Sequence, residues 1–166
     1  MAVVVLCSAG HSPGVSTTAL GLALTWPNEV LLVDADRTPT QSVLAGYLRG
    51  ERSGHHGLGG LLQAWRERRP FDEVVGAEAI DLPQLVARDE PVRFLPGFPH
   101  PGVVGLFGGA WPDLMAALAA REGDVLIDAG RLGVDGLPLP LAQNADLVLV
   151  VTRTSLVSLA ALVRHL

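Results

Sequence analysis

Apolar residues fall along this chain in short unbroken runs, separated by Gly/Pro punctuation and by stretches with helical spacing. The runs at 2–7 (Ala-Val-Val-Val-Leu-Cys), 29–34, 92–95, 124–128 and 146–152 carry Val, Leu and Ile on successive positions. A strand that is apolar on both sides must be covered on both faces, so these runs predict a parallel sheet between two helical layers. Helices are expected at 16–26, stopped by Pro27-Asn28, at 40–48, at 61–69, at 111–121 ahead of Gly123, and from 154 onward. The 146–152 run is expected to be a fully buried strand. Residues 71–90 carry a weak pattern, and the Pro/Gly-rich stretch 97–109 reads as a long loop, mobile or used as a contact surface.

The chemistry lies in the joints between these elements. The first strand runs into Ser8-Ala9-Gly10-His11-Ser12-Pro13-Gly14-Val15-Ser16-Thr17 and then into an apolar helix. A phosphate-binding loop has this layout, with the pattern Gly-x-x-x-x-Gly-Lys-Ser/Thr, whose backbone N–H groups and helix N-terminus face the phosphates. Here Ala9 holds the first position, Gly14 the second, Val15 the lysine position and Ser16 the hydroxyl position. The motif is kept in shape and lost in charge. A Gly-rich strand-to-helix turn with no ligand is the competing reading.

Two more strands end in carboxylates. Asp34-Ala35-Asp36-Arg37 places two acids on one side by alternation, at the C-terminal end of a strand where open α/β sheets put ligands. A helix cap or solvated turn is the alternative there. The run 124–128 ends in Asp128, followed by Ala129-Gly130-Arg131, the form of a Walker B segment.

Composition narrows the field. The chain has 166 residues, 49% of them hydrophobic, enough for one domain with a sizeable core. No apolar run approaches the ~18 residues of a membrane span, and the N-terminus lacks a basic start and cleavage site, so a cytoplasmic location is expected. The net charge of −5 counts against a protein built mainly to bind nucleic acid. All 12 basic residues are arginine, so no lysine elsewhere can replace the one missing from the loop. Arg37, Arg131 and Arg153 follow strand ends and are the candidate substitutes. The Arg66, Arg68 and Arg69 cluster reads as a solvated helix end, His55-His56 as loop residues, and Cys7 as a buried small hydrophobe.

Taken together, residues 9–17, 33–37, 124–133 and 145–153 resemble, in order and spacing, the MinD/ParA family of deviant Walker A ATPases. The resemblance spans nearly the whole chain. It implies a single α/β domain over 1–166, a P-loop NTPase-type three-layer fold with a mainly parallel central sheet, and a missing C-terminal part of the family fold. It implies ATP and Mg²⁺ as cofactors, with Gly10, His11, Ser12, Gly14, Val15, Ser16 and Thr17 at the nucleotide. Thr17 would meet the α-phosphate, Asp36 the attacking water, and Ser16, Asp34 and Asp128 the metal. The departures fall on the chemistry: Gly10 stands where the family's signature lysine crosses a dimer interface, Val15 where the P-loop lysine stands, and His11-Ser12-Pro13 replaces Gly-Gly-x.

The lysine-free pattern is similar to the CpaE/TadZ branch, associated with placing pilus or secretion machinery. The expectation is a localisation or assembly factor, weak or inactive as an ATPase, that works through protein partners and as a homodimer, with neither DNA nor direct membrane contact. The alternatives are an active ParA-type ATPase of chromosome or plasmid partition, and an interaction domain that binds no nucleotide.

Overall fold

A computed structural model describes residues 1–10, 14–50, 56–84, 90–133 and 136–163. Six strands form one sheet: β1 (Val3–Ser8), β2 (Val30–Asp34), β3 (Ile80–Asp81), β4 (Val92–Leu95), β5 (Asp124–Arg131) and β6 (Leu147–Val150), in the order β3-β4-β2-β5-β1-β6. All pairings are parallel except the two-residue β3, which runs antiparallel to β4. The predicted three-layer α/β class with a mainly parallel sheet is the observed one.

The continuous apolar runs are explained by two cores, one on each face. On one face Val3, Val5, Cys7, Leu31, Val33, Val125 and Ile127 pack under α2 (Leu58–Arg66), α3 (Phe71–Glu78), α5 (Trp111–Ala120) and α6 (Leu139–Asn144). On the other, Val4, Leu6, Val30, Leu32 and Leu126 pack under α1 (Val15–Thr25), through Val15, Ala19 and Ala23, and under a π-helical turn at Val43–Tyr47. Burial of Cys7 pushes its thiol pKa up, consistent with a packed small hydrophobe.

Five expectations are corrected. The 40–48 helix is only the short π-helical turn. The weak pattern at 71–90 conceals α3 and β3, because α3 buries only Phe71, Val74 and Val75 and gives a short stripe. The Pro/Gly-rich stretch is not a loop: α4 (Pro101–Val104) and a 3-10 turn lead directly into α5, pinned by the edge-to-face cluster of Phe98, Phe107 and Trp111, with ring centroids 4.8–6.0 Å apart. The joined segment Pro101–Ala120 is therefore long and apolar enough to cross a membrane by composition, against the expectation of no such run. Its Phe107, Ala110, Leu114, Met115 and Leu118 are buried in the core, which accounts for its apolarity.

The fifth concerns β6. Leu147, Val148, Leu149 and Val150 are 37–50% exposed, because β6 is the sheet edge and no described helix covers either of its faces. The helix that follows, α7 (Leu156–Val163), has no buried residue. His56 lies exposed just ahead of α2 and Arg66, Arg68 and Arg69 are exposed at its end, as expected; His55 lies outside the described residues.

Candidate functional site

Every parallel strand of the sheet points its C-terminal end the same way, and the joints singled out in the sequence meet there. Gly14 caps α1 with φ +93°, a left-handed conformation that a side chain would strain, and its carbonyl accepts the Thr18 N–H at 2.8 Å. The first turn of α1 then presents Ser16 and Thr17. No acidic residue belongs to that turn, whose N–H groups and dipole favour a negative charge at the joint.

Carboxylates come from the neighbouring strands. Asp34 and Asp128 are register partners across β2 and β5. The Ser16 hydroxyl lies beside the Asp128 carboxylate and favours its charged form, and that carboxylate accepts the Gly130 N–H at 2.9 Å. Asp36 accepts the Thr38 N–H at 2.8 Å, and its own N–H donates to Asp34 at 3.2 Å. Close approach is bought by glycine on both sides: a Cβ on Gly130 would lie 2.2 Å from the Asp36 carboxyl, and one on Gly97 would lie 2.7 Å from that of Asp34.

These acids are held against their preference for charge. Burial, then repulsion from Asp128, pushes Asp34 up to about 7. Burial raises Asp36 above the usual carboxylate range, opposed by the Thr38 N–H and by Arg37, and burial raises Asp128 in the same way, opposed by the Ser16 hydroxyl. Among the described residues no group of three His, Cys, Asp or Glu side chains is placed to hold a metal alone. Mg²⁺ needs only one or two carboxylates, a hydroxyl, waters and substrate oxygens. The Ser16–Asp128 pair beside Asp34 and Asp36 fits that demand, and a divalent cation would relieve the repulsion.

Above the acids opens a cavity of about 390 Å³. The sequence-named Gly14, Val15, Ser16, Thr17 and Asp36 all line it; Asp34 and Asp128 do not. Gly10 lies apart, just past β1, where a Cβ would meet open space; His11 and Ser12 are outside the described residues. Sequence reading missed the hydroxyls of Thr38, Thr40 and Ser42 on the far wall. Their spacing of two after Asp36 was a readable signal, hidden by assigning a helix from residue 40. Val15, at the lysine position, is 6% exposed and belongs to the core beneath α1.

No protein-family model matches this chain, and no curated protein does. Solved structures do. A ParA family ATPase from Chlorobium tepidum TLS superposes with TM-score 0.71 at 18% identity, covering 99% of this chain and 65% of that one. The septum site-determining protein MinD of Pyrococcus horikoshii OT3, complexed with Mg-ADP, gives 0.64 at 18% identity over 96% and 61%. A Cyanothece McdA variant in complex with ATP gives 0.63 at 20% identity over 99% and 61%. The chain thus has the P-loop α/β fold of the MinD and ParA ATPases and spans roughly three-fifths to two-thirds of their length.

Proposed function

We propose that this chain is a nucleotide-binding localisation or assembly protein of MinD/ParA type that binds Mg-nucleotide weakly and hydrolyses it slowly or not at all. The observation that carries the reading is the cavity at the N-terminus of α1, lined by Ser16, Thr17 and Asp36 and by the hydroxyls of Thr38, Thr40 and Ser42, with the Asp128 carboxylate beside Ser16. Hydroxyl and carboxylate in that relation suit a metal ion bridging to phosphate, and the bare helix N-terminus suits the phosphate itself. The Mg-ADP in the similar MinD structure supports the same ligand class. With the metal bound, charge on the phosphates is offset; Ser16 and Asp128 would hold it and Asp36 would orient water.

Weak hydrolysis follows from what Val15 does. Its side chain is part of the core under α1, so the position that would present an ammonium to the γ-phosphate presents an apolar surface. Loss of one charge-assisted contact to phosphate weakens binding by about ten- to a hundredfold, and hydrolysis more, because charge grows in the transition state. The lysine-free loop also supports placement beside the CpaE/TadZ-like proteins, with partner proteins and a homodimer as the working assembly.

Calorimetric titration of the chain with ATP and Mg²⁺ tests this. Binding in the micromolar range or weaker is expected, together with turnover far below that of an active ParA-type enzyme. Rapid turnover abolished by Asp36→Ala would replace the reading with the active partition ATPase, and absence of binding to both the native chain and Val15→Lys would leave the interaction domain without nucleotide.

A further inference from the structure

We propose that Arg131 is the phosphate-binding cation of this site, standing in for the missing lysine. The inference rests on the nucleotide-binding reading above and selects one of the three arginines that follow strand ends. Arg37 turns away: its guanidinium Nη2 donates to the Gly136 carbonyl and lies by Gly133. Arg153, after β6, does not line the cavity; among the described residues Arg131 is the cavity's one basic side chain.

A backbone irregularity aims it there. Side chains alternate along β5, and Val125, Ile127 and Ala129 face the core on the side away from α1, while Leu126 and Asp128 face α1. Unbroken alternation would send residue 131 to the side of Ala129. The register is broken instead: Leu6 opposes Asp128 but Ser8 opposes Arg131, so β5 spends three steps where β1 spends two. The extra residue is a β-bulge containing Gly130, at φ +61°, a conformation suited to glycine. Beyond it the facing is inverted. Leu132 packs against the same core as Ala129, three positions earlier, and Arg131 turns to the α1 side, beside Ser8 at the start of the loop.

The consequence is chemical. A guanidinium on a residue that lines the same cavity as Ser16 and Thr17 can hold two phosphate oxygens in its planar fork. It adds a positive group to a cavity that otherwise carries the acid Asp36 and neutral hydroxyls. Gly130 thus serves twice, giving room to the Asp36 carboxyl and inverting the strand.

The test is titration of the native chain and of Arg131→Ala with ADP and Mg²⁺, with Val15→Lys added to the alanine variant and Arg131→Gln as a second truncation should the alanine chain fail to fold. Native binding, about ten- to a hundredfold weaker in either truncation and regained with the lysine, is the expected result. Native binding that either folded truncation leaves within twofold overturns the role of Arg131 and spares the nucleotide reading. Loss that the lysine does not restore also overturns it, since the arginine would then be acting on structure. No binding by the native chain removes the nucleotide reading, and this inference with it.

Discussion

The two ends of β5 each carry a buried aspartate, Asp124 and Asp128, and the protein treats them oppositely. At the N-terminal end Asp124 is saturated with donors: the Trp26 indole N–H at 2.8 Å, the Asn28 amide at 3.2 Å, the Ala2 N–H at 2.7 Å and the terminal ammonium at 3.8 Å. Those partners, the indole first, hold its pKa below the usual carboxylate range. At the C-terminal end Asp128, Asp34 and Asp36 are pushed up by burial and crowd one another. One end of the strand uses its charge to hold the sheet together. The other stores an unfavourable charge where a ligand with a cation would release it.

The contrast can be broken from either side. The largest expected effect is Gly130→Ala, which forces a Cβ to 2.2 Å from the Asp36 carboxyl and into φ +61°. A loss of about 3 kcal/mol in urea unfolding is expected, from left-handed strain plus displacement of the acid; an unchanged midpoint would mean that the bulge is not held as described.

Asp124→Ala comes next. It strands the Trp26 and Asn28 donors and should cost about 2 kcal/mol, seen as a Tm lower by roughly 4–8 °C. Asp34→Asn should act in the opposite direction, raising stability by about 1 kcal/mol near pH 8 without divalent cation, because it removes a repelled charge.

The native chain carries the same signature in its pH dependence. Asp34, near 3.8 when unfolded and about 7 when folded, binds more protons in the native state. Its contribution is therefore favourable at low pH and is lost as pH rises from about 4 to about 7, by at most about 1.4 kcal/mol per unit. Thermal melts across that range should show the decline, and Mg²⁺ should flatten it; a rise in stability over the window would exclude a repelled acid cluster. The smallest effect is Trp65→Phe, which removes a 2.8 Å hydrogen bond to Asp113 on the exposed side of α2 and should cost about 0.5 kcal/mol in the same melts.

How much of the site was readable depends on the range of the interaction that builds it. Gly14, Ser16, Thr17 and Asp36 could be read because each sits within two or three residues of a strand or helix end, and local pattern marks those ends. Thr40 and Ser42 were missed because a helix was assigned from residue 40 where only a π-helical turn forms from Val43. The buried strand expected at 146–152 is an exposed edge, since an apolar run reports that a surface seeks cover and not whether described neighbours supply it.

By itself the sequence determined the five parallel strands in their order along the chain, the sheet between two helical layers, and the loss of lysine from a loop otherwise shaped for phosphate. These follow from local rules: continuous apolar runs, glycine at a left-handed cap, and the absence of any lysine from the chain. Only the tertiary structure decided which carboxylates meet, that Val15 belongs to a core, and which of three arginines faces the cavity. Each of those depends on strand register, and one bulged residue in β5 inverts the facing of all that follows it, a long-range match between β1 and β5 that local composition does not encode.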